Sequence, residues 1–147
     1  MKKLSELLWD RKSSGVYLLE AAAPTKELER LAAGLNFALF RLEGRNIEGK
    51  EQFLREAAAA FRFPEYFGNN WDAFADCLTD MSWHNTDGYL ILYDNFRLFA
   101  EHSPGDFETA LDIFKESAEF WRNQAKSLFL LLRGKGRESW NLASIKF

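Results

Sequence analysis

The chain has 147 residues, of which 47% are hydrophobic and 16% aromatic, and its formal net charge is −3. This composition excludes a disordered chain and favours one packed globular domain over residues 1–147. A negative net charge disfavours direct nucleic-acid binding, which requires Lys and Arg clustered against phosphates.

Cysteine content and apolar runs bear on the cellular location. The single cysteine, Cys77, excludes an intrachain disulfide and a cysteine-based metal cluster, and a lone thiol is typical of a reducing compartment. Residues 1–15 lack the apolar run of a secretory signal, and no apolar run of about 18 residues predicts a membrane span. We therefore expect a cytoplasmic protein without membrane contact.

Helices and strands alternate along the sequence. Apolar segments predict strands at 15–20, 36–42, 89–93 and 127–132. Helical spacing predicts helices at 4–9, 25–34, 50–61 and 95–102, and a long one that contains Trp121 and is capped by Asp106. Two strand segments, YLILY and SLFLLL, are apolar throughout, as in parallel strands buried on both faces. The pattern predicts an α/β fold with a small parallel sheet of three to four strands and helices packed on it.

The stretch from Phe63 to Phe96 contains no Lys or Arg. Its six acids are Glu65, Asp72, Asp76, Asp80, Asp87 and Asp94. The rest of the chain therefore carries +3, because all 19 bases lie there with the other 16 of the 22 acids. A solvated surface usually mixes both signs, so the missing countercharge could come from a basic partner protein, whose approach an acidic surface would steer.

A helix predicted from Gly68 to about Asp80 divides this stretch into two faces. The apolar face contains Trp71, Phe74, Ala75 and Leu78. The polar face contains Asn69, Asp72, Asp76 and Asp80, with the three aspartates at successive i+4 steps. The first face predicts packing on the core and the second a binding surface. The alternative is that the second face is a solvated surface, on which the negative charge of Asp72 interacts favourably with the helix dipole.

An enzyme is an alternative from a different class, because Asp72 and Asp76 lie one turn apart and could perform acid–base chemistry. No nucleophile–base pair, phosphate-binding loop or metal motif accompanies them. His84 and His102 are isolated and lack the spacing of a metal site. We therefore expect no enzyme activity, no cofactor and no metal. A further alternative is a regulatory module that binds some other basic protein.

Four residues around the acidic helix have expected local roles. We expect Gly68 to supply a backbone conformation that other residues resist, and Asn70 to cap the helix or form a turn. Cys77 is expected to be buried and unreactive, because no base or second cysteine is close in sequence. Tyr66 either covers the edge of the core or anchors a partner.

Residues 64–78, PEYFGNNWDAFADCL, resemble the signature of the barstar family of small intracellular inhibitors of microbial ribonucleases. The order Pro, Tyr, Gly, Asn, Asp-Ala and Asp-Cys-Leu is dense and ungapped. The resemblance covers residues 36–133, which form the expected barstar-like core. Residues 1–35 then form an added strand–helix unit, and residues 134–147 a tail packed on the body.

The resemblance implies that the acidic helix enters a ribonuclease active site and meets the basic residues that normally hold the RNA phosphate. By position, Asp76 is the implied central anchor, Asp72 a second contact and Glu116 a peripheral one. The chain departs from the pattern at Asn69, where the family's best-known member is acidic, and at Ala75, where it has tryptophan. The predicted partner-binding residues are Tyr66, Gly68, Asn69, Asp72, Asp76, Asp80 and Glu116.

Overall fold

The computed structural model describes residues 3–64, 67–135 and 140–147. Its strands are β1 (Gly15–Leu19), β2 (Phe37–Glu43), β3 (Gly88–Asp94), β4 (Ser127–Arg133) and β5 (Ala143–Ile145). They form one sheet in the order β2-β3-β4-β1-β5, and every pair of neighbours is parallel. The predicted α/β fold with a small parallel sheet is confirmed, with one strand more than the upper limit of the prediction.

The helices are α1 (Leu4–Trp9), α2 (Thr25–Gly34), α3 (Lys50–Phe61), α4 (Trp71–Leu78), α5 (Arg97–His102) and α6 (Pro104–Arg122). The prediction that Asp106 caps the last long helix is wrong, because Ser103 occupies the N-cap. Pro104 takes the first helical position, where its fixed φ suits the helix and its missing N–H is not needed. Asp106 lies in the first turn instead, where its negative charge interacts favourably with the helix dipole.

The centre of the sheet is buried on both faces. Every residue of β3 from Gly88 to Tyr93 and every residue of β4 from Ser127 to Leu132 is buried. Strands of this kind need apolar side chains in both directions, because a layer of helices covers each side of the sheet. The two apolar runs therefore determine that helices must pack on both faces.

Different helices cover the two faces. On one face, α3, α4 and α6 pack on alternate residues of the central strands, including Tyr89, Ile91 and Leu130. On the other face, side chains of α1 and α2 pack on Leu90 and Phe129. None of the helices in the described parts of the chain has the length and apolarity needed to cross a membrane.

The C-terminal tail adds the edge strand β5, which pairs with β1. It also buries Trp140, whose ring centroid lies 5.4 Å from that of Phe96 and 5.5 Å from that of Phe107. The sequence does not predict this strand, because it spans three residues of which only Ile145 is buried. Pairing with a strand that is already in place stabilises a segment too short to show a period of its own.

The turn after β2 depends on a glycine. Gly44 is buried beside the carboxyl end of β3. A Cβ at this position would overlap the carbonyl oxygen of Asn95 and lie 2.6 Å from that of Asp94. Both are backbone atoms, so neither can move without displacing the end of β3. The close approach of the two chain segments therefore requires a residue without a side chain.

Replacing Gly44 with alanine is expected to lower the free energy of unfolding by about 1–3 kcal/mol, the usual cost of overpacking. The matched control is Gly105→Ala in α6, since an added Cβ there meets nothing within 4 Å. That change should be neutral or stabilising by up to about 1 kcal/mol. Urea unfolding of both variants measures the difference. Equal effects would contradict the conclusion that position 44 requires a glycine.

Candidate partner-binding surface

A capped turn leads into α4. The side-chain oxygen Oδ1 of Asn70 accepts a hydrogen bond from the Ala73 N–H at 2.8 Å, which satisfies one of the free donors at the start of the helix. The predicted capping role of Asn70 is confirmed. The prediction for Gly68 is wrong, because its φ is not positive. Asn69 has the left-handed conformation instead, with φ 52°, which asparagine tolerates better than most residues.

The apolar side of α4 is held between α3 and α6. Phe74 is fully buried, and its ring centroid lies 5.3 Å from that of Phe53 and 5.5 Å from that of Phe114. The indole N–H of Trp121 donates to the carbonyl oxygen of Leu78 at 3.0 Å, which satisfies one of the free acceptors at the end of the helix. These contacts orient α4 so that its opposite side faces solvent.

The acidic side of α4 is exposed. Asp72 and Asp76 lie one turn apart on the helix, and both are exposed. Asp80 is also exposed, but α4 ends at Leu78, so Asp80 lies in the following turn rather than on the helix as predicted. Met81 then adopts a left-handed φ of 51°, which prevents the helix from continuing.

Within the described ranges, Asp72, Asp76 and Asp80 form no ion pair. Asp94 differs, because Arg133 donates to its two carboxylate oxygens at 2.6 and 2.8 Å. The countercharge of Asp94 therefore comes from Arg133 of the same chain. The sequence pattern had allowed that it would come from a partner. Of the described acids in the base-free stretch, Asp72, Asp76, Asp80 and Asp87 have no ion pair, and the Asp87 carboxylate accepts a hydrogen bond from the side-chain amide of Asn36 at 3.2 Å.

Two lysines lie near the ends of α4, over aromatic rings. The ammonium nitrogen of Lys50 is 5.8 Å from the ring centroid of Trp71, the first residue of α4. That of Lys126 is 5.6 Å from Trp121 and 5.7 Å from Tyr89. Cation–π attraction favours these positions. The sequence gives no signal for them, because both lysines lie outside the base-free stretch.

The other predicted site residues do not lie on α4. Gly68 and Asn69 are exposed in the turn before α4. Glu116 is exposed on α6, roughly 200° around that helix from Phe114, which contacts α4. Glu116 is therefore directed away from the α4 contact. Tyr66 lies outside the described residues, and the roles of all four stay predictions.

Burial favours the neutral forms of two ionisable groups, Cys77 of α4 and Tyr89 of β3. Burial raises the pKa of the Cys77 thiol, and the Asp80 and Asp76 carboxylates raise it further. The predicted buried thiol is thus confirmed. Burial also raises the pKa of Tyr89 to about 12, with a further contribution from Asp80. Over the described part of the chain, no three or more His, Cys, Asp or Glu side chains are grouped so that they could hold a metal ion.

Asn70→Ala removes the acceptor at the start of α4 and should lower the free energy of unfolding by about 1 kcal/mol. Asn70→Asp keeps an acceptor in the same place and should retain most of that stability. Urea unfolding compares the two variants with the wild-type chain. An alanine variant as stable as wild type, or an aspartate variant as unstable as the alanine one, would exclude this capping bond.

Tyr89 should make the protein less stable at alkaline pH. Its pKa of about 12 exceeds the ordinary value of 10.0, so the unfolded chain loses this proton first as the pH rises above 10. The contribution of the neutral Tyr89 hydroxyl to the free energy of unfolding is complete below pH 10. Above pH 10 it falls by up to about 1.4 kcal/mol per pH unit.

Tyr89→Phe should therefore reduce the slope of the free energy of unfolding between about pH 10 and 11. It should cost little at neutral pH, because the buried hydroxyl has no hydrogen-bond partner among the described residues. Burial also raises the pKa of Tyr93, so part of the slope should remain. An unchanged slope in urea unfolding across this pH range would contradict the placement of Tyr89.

Solved structures of other proteins share the fold. Two structures of the ORC2 protein of Aeropyrum pernix, one of its ADPNP-ADP complexes and one of its ADP form, match with TM-scores of 0.68 and 0.66. Each is 14% identical and covers 98% of this chain and 45% of the ORC2 chain. The chain thus spans less than half the length of these neighbours, and at this identity the likeness concerns the fold alone.

The sequence itself identifies the family. No curated protein matches the chain in sequence. The family model described as barstar (barnase inhibitor) matches residues 37–133, which include β2, α3, α4, β3, α5, α6 and β4. This match covers more than half of the chain and contains the acidic helix with its cap and its buried face. The chain therefore belongs to the barstar family.

Proposed function

We propose that this chain is a protein inhibitor of a basic ribonuclease and blocks the active site of the enzyme with α4. The observation that carries the proposal is the pair of exposed carboxylates on α4, Asp72 and Asp76, which have no ion pair in the described ranges. Membership of the family named for barnase inhibition supports the choice of target.

The mechanism is steric and electrostatic. A ribonuclease holds RNA phosphates with basic side chains, and carboxylates of an inserted helix can bind the same side chains. Asp76, in the second turn of α4, is the central contact and Asp72 the second one. Asp80 adds negative charge from the turn that follows the helix. RNA cannot enter while these groups occupy the site.

The anchoring of α4 makes this binding favourable. Phe74 and Leu78 are fully buried, so the helix does not have to be ordered when the partner binds. The carboxylates already point to solvent, and their charge increases the rate of encounter with a basic surface. On binding, a well-placed cation replaces the water around each carboxylate, which limits the desolvation penalty.

A second candidate is a regulatory module that binds a different basic protein through the same helix. Asn69 and Ala75 favour this candidate, because the chain departs there from the pattern of the family's best-known member. We also propose that the chain is not an enzyme. Asp72 and Asp76 lie on an exposed helix face, whereas the sites that enclose small-molecule substrates are concave.

An inhibition assay tests the proposed function. Wild-type chain and the Asp76→Ala variant are titrated against barnase-type and other basic microbial ribonucleases. Wild type should inhibit stoichiometrically, and the variant should lose about 2–5 kcal/mol of binding free energy, because an enzyme cation is left buried and unpaired. That range includes charge pairs of the barnase–barstar complex, so it is borrowed from the family rather than derived from this chain.

The matched control is Asp112→Ala, which removes the same charge from the exposed side of α6. It should inhibit as wild type does. Circular dichroism is used to check that both variants are folded. If a folded wild-type chain inhibits none of the enzymes, ribonuclease inhibition is excluded for this panel. If Asp76→Ala and Asp112→Ala weaken inhibition equally, the site does not lie on α4.

A further inference from the structure

A second polar site lies at the carboxyl edge of the sheet. A crevice of about 490 Å³ opens there between the ends of β1, β2, β3 and β4. Its charged lining consists of Arg41, Glu43, Arg45, Asp94 and Arg133. Open parallel sheets bind ligands outside the carboxyl ends of their strands, at the point where successive connections change face.

That change of face occurs between β3 and β1, which are separated in the sheet by β4 alone. The chain leaves β1 through α2, whose Leu28 and Ala32 belong to the cluster on one face. It leaves the carboxyl end of β3 through α5 and α6, whose Phe99 and Phe114 belong to the cluster on the other face. The crevice therefore lies at the position where this sheet topology leaves space for a ligand.

Asp94 is bound chiefly by Arg133. The side chains of these two residues are 13% and 12% exposed, and Arg133 binds both carboxylate oxygens. The remaining guanidinium nitrogen of Arg133, Nη1, donates to the carbonyl oxygen of Ala23 at 2.8 Å and to the hydroxyl of Thr25 at 2.9 Å. Arg41 reaches Asp94 only at 3.3 Å, as a third and weaker donor.

Glu43 is engaged by groups other than the guanidinium of Arg45. Its oxygen Oε2 accepts from the side-chain amide of Asn95 at 2.7 Å and from the backbone N–H of Arg45 at 3.1 Å. The guanidinium Nε of Arg45 is 3.9 Å from the other oxygen, which is too long for a hydrogen bond. Arg41 and Arg45 are 53% and 78% exposed, and most of their ten N–H donors have no acceptor among the residues that the structure describes.

We propose that this crevice binds a small phosphate-bearing molecule, with its phosphate held by Arg41 and Arg45. Two guanidinium groups with free donors suit a doubly charged group with several oxygens better than a single carboxylate. The charged lining has three arginines against two carboxylates, and this net charge of +1 favours an anion over a cation. The organic part of the ligand extends into a neighbouring crevice of about 460 Å³, whose lining includes Phe96 and Leu98 and the ion pair of Arg97 with Glu101.

The backbone around the crevice is fixed before any ligand binds. Gly44 holds the turn that carries Glu43 and Arg45 against the end of β3. Gly134, directly after Arg133, has φ 142°, a conformation that residues with side chains rarely adopt. The two arginines that are proposed to bind phosphate thus extend from a rigid edge, and only their side chains need to be ordered.

The test uses inorganic pyrophosphate as the probe, titrated into the full chain at low ionic strength. Calorimetry measures the dissociation constant for wild type, for Arg41→Gln/Arg45→Gln and for Arg30→Gln/Arg55→Gln. The last variant removes the same charge from exposed arginines of α2 and α3. The first double variant should weaken binding at least about tenfold, and the control should stay within about twofold of wild type.

Two-dimensional NMR of the wild-type chain gives a readout that does not depend on the variants. Pyrophosphate should shift the backbone amide signals of Gly44 and Gly134. The proposal is overturned if wild type shows no saturable binding up to about 10 mM. It is also overturned if both double variants weaken binding equally, or if the shifted signals belong to Arg11 and Arg122 at the other edge of the sheet. None of these outcomes bears on ribonuclease inhibition by α4.

Discussion

The structure depends on two apolar parallel strands that must be covered on both faces. Burying each large side chain of β3 and β4 contributes on the order of 1.5–3 kcal/mol, so an open face would cost the fold much of its stability. Residues 37–133, which match the barstar family, supply the helices of one face. The other face, with Leu90 and Phe129, is covered by α1 and α2, which precede the matched region.

The same burial explains why the acids of α4 are available for binding. A helix of eight residues is not stable alone, so its order comes from packing between α3 and α6. That packing determines which side faces solvent, and Asp72 and Asp76 lie on it. At the carboxyl edge of the sheet the situation is reversed, because arginines already pair with Asp94. Of the acids in the base-free stretch, Asp72 and Asp76 thus lie on an exposed surface, whereas Asp94 lies in an ion-paired crevice.

Strands and helices with long apolar patterns were predictable from the sequence, since burial imposes the pattern that the sequence displays. The core face of α4 and the cap at Asn70 were predictable for the same local reason. Features that depend on contacts distant in sequence were not. The pairing of Asp94 with Arg133, the strand β5 and the early end of α4 at Leu78 all depend on neighbours that no local pattern reveals.

Competition with RNA is the most direct test of the central claim that α4 occupies a ribonuclease active site. The apparent dissociation constant of the chain for a ribonuclease that it inhibits would be measured at increasing concentrations of a non-cleavable oligonucleotide. The account predicts that this constant rises linearly with the oligonucleotide concentration from its value without oligonucleotide, because Asp72 and Asp76 bind the cations that hold RNA phosphate. A constant that does not change, with a ternary complex detected, would contradict it.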